Sequence, residues 1–473
     1  MCGAFACVSL KDIPKDQQQA FLFGIEQNQK GNHLISMSAT WHYLRESNDQ
    51  DPKYDRVLRL MARNAQDLGL NYLSAQWYLE IAKGRRDPTL IPEAIAGIER
   101  VVQLGVYDED TMIDHFIALD EISGLPTDLS AFVSYHQGIK HLKQGLNTWA
   151  EARLNSIHPN SIYAPQATYV RAVDLIRKGK IDEAEKILKA LKKQIENPIF
   201  ANRDLTLKKN VLLSLARLSM EKSDDAKALT YFEEIRQSFQ DQPELLLEIA
   251  WVHYRQSNPR KALGYLFALE APIYRDLITP EKFILEALAL KSLCQFGPAR
   301  QAAIGLGQKY KQAFDDLSLG VPPEQSQALR LAAAQRPSVR AMSRLLDSLD
   351  LELGQLKQLQ AKIDTDLYQH LQNLYEQGKI SIKTRREGKL REEIEVVAQE
   401  LLLAQESVSL ILHELGVGLL RGRKAPANRG SIPPLAEAYA PSEAVFPFDT
   451  EFWTDELDDV LVLVEDRCID ESY

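Results

Sequence analysis

Small residues recur in a fixed register along the middle of the chain. Gly138, Ala172, Ala216, Ala250 and Ala287 are each followed twelve residues later by a second small residue: Ala150, Ala184, Ala228, Ala262 and Ala299. Successive pairs lie 34, 44, 34 and 37 residues apart, and the longer steps hold extra loop, Asn197 to Asp204 and Ala271 to Pro280. The surrounding apolar positions have helical spacing: Leu212, Leu215 and Ala216, then Ala228, Leu229, Phe232 and Ile235. Leu246, Ile249 and Ala250, followed by Ala262, Leu263, Leu266 and Leu269, repeat the pattern. Antiparallel helices approach closely only where side chains are small, so each pair marks the crossing of two helices. Gly145 and Gly179 fall between the paired helices, where a helix-ending residue with positive φ is wanted. Pro159, Pro198 and Pro272 follow the second helices and end them. A repeat of this length is a signature of stacked helix pairs.

With this register the chain resembles the tetratricopeptide repeat family, most closely over Ile176 to Lys193 (IRKGKIDEAEKILKALKK) and well over Thr127 to Tyr310. Most repeats depart from the full pattern, lacking the aromatic residue of the first helix and the tyrosine near its end. The resemblance implies an all-α solenoid whose first helices line a groove that binds other proteins. In such solenoids the groove is faced by residues three before and one or four after the first small position. Carried onto this chain, those positions select Tyr135, Ile139, Tyr169, Arg217, Trp251 and Tyr254. Aromatic residues and arginine dominate binding hot spots, but the same positions can be core between repeats. Upstream, His33 to Gly105 also reads as helical, with Ala62, Ala65, Ala75, Trp77 and Ala82 marking one or two divergent units.

Beyond Pro337 the spacing changes. Leu346, Leu349, Leu353, Leu356, Ile363, Leu367 and Leu374 form one heptad seam, interrupted by Gln360 and His370. Ile394, Val397, Leu401, Ala404, Val408, Ile411 and Leu415 form a second, with the spacing of knobs-into-holes packing. With Gly378 to Gly388 between them, the seams predict an antiparallel coiled-coil hairpin, the alternative being a parallel dimer through one arm. Five prolines between Arg421 and Pro447 mark an extended linker. The tail from Pro447 to Cys468 then surrounds Phe448, Phe452 and Trp453 with carboxylates, a docking segment for the chain's own helices or for a partner. The layout is an N-terminal segment 1–30, divergent repeats 31–126, tetratricopeptide-type repeats 127–320, a helical hairpin 337–418, a proline-rich linker 419–446 and an acidic-aromatic tail 447–473.

Composition narrows the function. A net charge of -10 and the lack of a concentrated Lys/Arg block argue against nucleic acid. No stretch approaches the roughly 20 apolar residues that span a bilayer. The four cysteines, Cys2, Cys7, Cys294 and Cys468, are too few and scattered for a disulfide framework. Met1-Cys2-Gly3 resembles class II glutamine amidotransferases, in which Cys becomes an N-terminal nucleophile, but helix-period sequence follows where that chemistry needs an α/β domain. Ala4-Phe5-Ala6-Cys7 loosely resembles a bacterial lipobox, which makes Cys7 a lipidation candidate and 1–30 the remnant of a lipoprotein leader; the alternative is an ordinary flexible N-terminus.

The nine histidines lack metal-ligand spacing, and no phosphate-binding, dinucleotide-binding or nucleophile-elbow motif occurs. The expectation is therefore a scaffold with no catalytic residues, no metal and no cofactor, whose partners are proteins. Membrane attachment, if any, runs through an N-terminal lipid. Glu244 to Leu269 and the PFDTEFWTDEL tail are also similar to envelope proteins of gliding and predatory bacteria, some of them parts of motility machinery. That resemblance implies a periplasmic or outer-membrane-associated scaffold if a leader was lost, and a cytoplasmic one otherwise.

Overall fold

All nine alanines of the register, from Ala150 to Ala299, are 0% exposed. Gly138 is buried as well, and a Cβ there would stand 2.7 Å from the Leu154 side chain. Small side chains therefore sit where helices cross. The computed structural model describes residues 8–197, 204–238, 243–274, 279–420, 432 and 462–468. Two units are present, one formed by 1–171 with 340–388 and the other by 172–339 with 389–473.

In the second unit, Leu205–Glu221 packs on Asp225–Ser238, Pro243–Arg255 on Pro259–Ala268, and Pro280–Ser292 on Phe296–Lys309. The turn inside each repeat has one construction throughout the chain. Seven residues after the first small position stand Gly145, Gly179, Ser223, Ser257 and Cys294, with φ of 75°, 73°, 60°, 58° and 52°. Glycine takes that left-handed conformation freely, whereas serine and cysteine pay a steric cost there.

The register also continues upstream in the first unit, where Gln17–Gln29 packs on His33–Leu44 and Tyr54–Asp67 on Asn71–Gly84. Here the small pairs are Gly24 with Ser36 and Ala62 with Ser74, and the turn glycines are Gly31 and Gly69, both at φ 77°. The Ser36 hydroxyl donates to the Gly24 carbonyl at 2.7 Å, so a buried polar group is satisfied at the crossing. After Ile91–Gln103 the pattern lapses into a π-helix, Glu109–Ile117.

Toward the C-terminus come Pro337–Leu359 and Thr365–Leu420, and within the first unit residues 340–359 pair antiparallel with 365–388. In the first unit Lys379 bonds Asp350 (2.7 Å), Tyr375 bonds Glu352 (2.7 Å) and Arg386 bonds Ser343 (2.8 Å). In the second, Ser338 bonds Glu393 (2.5 Å). The hairpin turn differs from the expected one. It lies at Gln360–Lys362 and the extended Ile363, while the helix runs unbroken through Gly378 and Gly388. Gly378 serves close packing instead, because a Cβ on it would stand 2.3 Å from the Tyr72 hydroxyl. The second seam is buried as expected, but against repeats of its own unit. Leu390 to Leu401 lies among Ala313, Leu329, Ala333 and Val339, and Ala404 to Leu415 among Phe283 to Leu306.

Candidate functional site: the inner face of the repeats

Three of the selected residues belong to the first unit. Tyr135 is half-buried against the core, its ring 5.7 Å from Tyr163 and 5.2 Å from His136. Ile139 and Tyr169 are likewise half-buried. Burial pushes the His136 imidazole down to about 4, with Asp114 opposing and Lys143 adding to the shift.

The other three lie on consecutive first helices of the second unit and form a lateral ladder. Arg217 has a 59% exposed side chain and meets Glu248 of the next repeat with two bonds, 3.0 Å from Nε and 2.6 Å from Nη2. Bidentate pairing fixes the guanidinium plane. One repeat further, the Trp251 indole N–H donates to Glu281 at 2.8 Å, and its ring meets Tyr254 edge-on at 5.9 Å.

Tyr254 is more deeply set. It packs into the cluster that also holds Ala404, Val408, Ile411 and Leu415, and burial, then the Glu414 charge, push its phenol up. Ile284, Leu288 and Lys291 occupy the same register positions around Ala287. Ile284 and Leu288 pack in that cluster, and Lys291 pairs with Glu414. The chain's own C-terminal helix thus packs on these register positions in the last repeats, while the Arg217 side chain is largely exposed.

Cys7, Phe448, Phe452 and Trp453 lie outside the described residues. The end of the tail is described, and it corrects the expectation about cysteines. Cys294 and Cys468 form a disulfide across 174 residues, with Cα atoms 5.0 Å apart. Only the return of the tail brings so distant a pair together, and no local spacing announces it. Cys294 occupies the left-handed turn position held by glycine or serine in the other repeats, the one sequence signal that it has a special task.

Sequence reasoning also missed Glu352, which is 5% exposed and sits between Leu349 and Leu353 of the first seam. It accepts the backbone N–H of Tyr72 at 3.0 Å, in the first turn of Asn71–Gly84, and the Tyr375 hydroxyl at 2.7 Å. Burial raises its carboxyl to about 7 despite those bonds. Helix N-termini favour a negative charge, so the residue acts as a cap supplied from a distant helix. Among the described residues, no group of three His, Cys, Asp or Glu could hold a metal. Among them, too, no helix is long and apolar enough to cross a membrane.

The fold is TPR-like, an all-helical array of antiparallel pairs crossing at small residues. No protein-family model matches the chain, and no curated protein matches it. Solved structures similar to it include a tetratricopeptide repeat protein from Parabacteroides merdae ATCC 43184, at 14% identity and TM-score 0.32, covering 58% of this chain and 98% of that one. The APC/C hetero-tetramer Cut9-Hcn1 is similar at 11% identity and TM-score 0.23, covering 85% and 91%. A circular tandem repeat protein with a novel repeat topology follows at 12% identity and TM-score 0.16, covering 86% and 90%. At these values the repeat assignment stands on the register and geometry of the chain itself.

Proposed function

We propose that the chain is a non-catalytic scaffold that binds a partner protein along the inner face of its second unit, with Arg217 and Trp251 as anchors. One observation carries this reading. The inner-face positions of the last repeats already hold a helix, Ala404 to Leu415, through apolar residues spaced four, three and four apart. Helix-in-groove recognition uses that spacing. The face continues toward Arg217 and Trp251, and the ladder to Glu248 and Glu281 holds those two in place before a partner arrives.

The envelope or motility-type setting is part of the same proposal. It is supported by the similarity of Glu244 to Leu269 and by the disulfide, since such bonds persist in oxidising compartments. Cys7 is the proposed lipid attachment point. A second reading, assembly through the long helix, is favoured by Val396, Leu403 and Leu410, exposed at seven-residue spacing.

The test places a photo-crosslinking residue at Arg217 in cells and asks whether one protein is captured and whether Trp251→Ala abolishes the adduct. With the captured partner purified, Trp251→Ala should weaken binding about thirtyfold, the equivalent of ~2 kcal/mol for a buried aromatic anchor. Unchanged affinity with unchanged helicity would remove the inner face from consideration. Light scattering that showed a stable oligomer, dissociated by Leu403→Glu, would favour the assembly reading.

A further inference from the structure

The seven described residues at the end of the chain, Val462 to Cys468, lie on the last repeats without helix or strand, with one tight turn in which the Val464 N–H donates to the Val462 carbonyl at 3.0 Å. Val462, Val464, Asp466 and Cys468 are half-buried, while Leu463, Glu465 and Arg467 are exposed, the two-residue alternation of an extended segment on a surface. Val462 and Val464 pack in the cluster that contains Leu263, Leu293 and Phe296. Three hydrogen bonds join the repeats to the tail's backbone. Arg260 Nε donates to the Val464 carbonyl at 2.8 Å, and Gln295 Nε2 to the Glu465 carbonyl at 2.7 Å. The Arg467 N–H donates to the Leu293 carbonyl at 3.0 Å, satisfying the end of Pro280–Ser292. Arg260, only 3% exposed, is a buried cation that bonds the Val464 carbonyl and interacts with the Asp466 charge, an arrangement that reads the main chain together with an acid two residues on.

We propose that this face of the last repeats is a docking site for an extended peptide, that Val462 to Cys468 is its tethered occupant, and that reduction of Cys294–Cys468 opens it. The external ligand would share the tail's chemistry, with β-branched aliphatic residues at alternate positions followed by an acid. Without the disulfide, the described end of the tail is held by its contacts with Arg260, Leu293 and Gln295 and by the packing of Val462 and Val464. An external peptide then displaces the tail where it binds more tightly than the tail does, or where its concentration exceeds the effective concentration of the tethered segment.

The reductant is a dithiol. One of its thiolates attacks a sulfur of the bond, giving a mixed disulfide and releasing the other cysteine. Its second thiol then displaces the first cysteine, so that two electrons and two protons pass to the protein and the dithiol becomes a disulfide. The site is built from Arg260, Leu293 and Gln295 and does not depend on the reading of Arg217 and Trp251.

The experiment measures anisotropy of a labelled peptide spanning Leu461 to Arg467 against the full chain. The oxidised protein should not bind it. A chain carrying Cys468→Ser with Val462→Asp and Val464→Asp, which frees the site, should bind it at least tenfold more tightly than the oxidised protein. Adding Arg260→Met should weaken that binding about tenfold, the loss expected for one charge-assisted bond. Amide exchange of residues 280–309 is followed in parallel. The proposal is overturned if the freed chain keeps those amides protected yet ignores the peptide. It is equally overturned if freeing the tail abolishes their protection, since the tail would then be core.

Discussion

Gly378 and Gly388 lie ten residues apart in one helix, and replacing each by alanine should move stability in opposite directions. In a helix interior, alanine is favoured over glycine by about 1 kcal/mol. Gly388 is exposed with nothing within 4 Å of a Cβ, so that gain should appear in full. A Cβ at Gly378 would stand 2.3 Å from Tyr72 Oη and 2.8 Å from Cζ. The tyrosine has little room to yield, since it is 4% exposed and stacked 5.9 Å from Tyr375. Overpacking of that kind costs ~1–3 kcal/mol. The propensity term cancels in the comparison, so Gly378→Ala should be less stable than Gly388→Ala by about the overpacking cost alone. Two units need not unfold together, so amide exchange of residues 365–388 is read alongside the urea midpoint. Tyr72→Phe, which removes the nearest atom, should restore part of the loss to Gly378→Ala and none to Gly388→Ala. Equal effects of the two alanines would refute the close approach of Tyr72 to the helix.

What was legible in the sequence was local. A twelve-residue gap between small side chains is set by two helices and their turn, so the crossings from Gly138 to Ala299 could be read directly. The upstream repeats were harder to see because their second small residue is serine, Ser36 or Ser74, and a search for alanine passes over it. The hairpin turn was misplaced for a different reason. Glycine serves both to end a helix and to admit a neighbour, and only the position of Tyr72, some three hundred residues away in sequence, decides which task Gly378 performs. Glu352 as a cap, Arg260 as a tail contact and the Cys294–Cys468 bond share that non-local origin. Each has its meaning only after distant segments meet. Of the inner-face candidates, the register placed Arg217 and Trp251 on a ladder, but it could not reveal that Tyr254 is covered by the chain's own helix.

Three further perturbations test the packing, the turns and the buried charge. Ala250→Leu, at a crossing with no exposed surface, should destabilise the second unit by ~1–3 kcal/mol, read as a lower urea midpoint at unchanged slope. Ser257→Gly should stabilise it by about 1 kcal/mol, because φ of 58° is strained for serine and free for glycine; an unchanged midpoint would mean that the serine conformation is compensated locally. The last concerns Glu352, whose carboxyl is raised from 4.5 to about 7 by burial. The native state therefore holds this proton more tightly than the unfolded state does. Its contribution to stability is unfavourable above pH 7, improves as pH falls toward 4.5, and levels off below. His136 in the same unit acts oppositely, being lowered from 6.5 to about 4, so its contribution is lost across much of that window. The two shifts, each worth roughly 3 kcal/mol in full, mask one another in the wild-type protein. Glu352→Gln removes one of them. At pH 8 the variant should be the more stable, since it lacks a buried charge yet can still accept the Tyr72 N–H. Its advantage should shrink steadily as pH falls to 4.5, and its own stability should then show the acid loss contributed by His136. A difference between the two proteins that stayed constant from pH 8 to 4.5 would mean that Glu352 does not titrate in this window and that its burial is less complete than the geometry indicates.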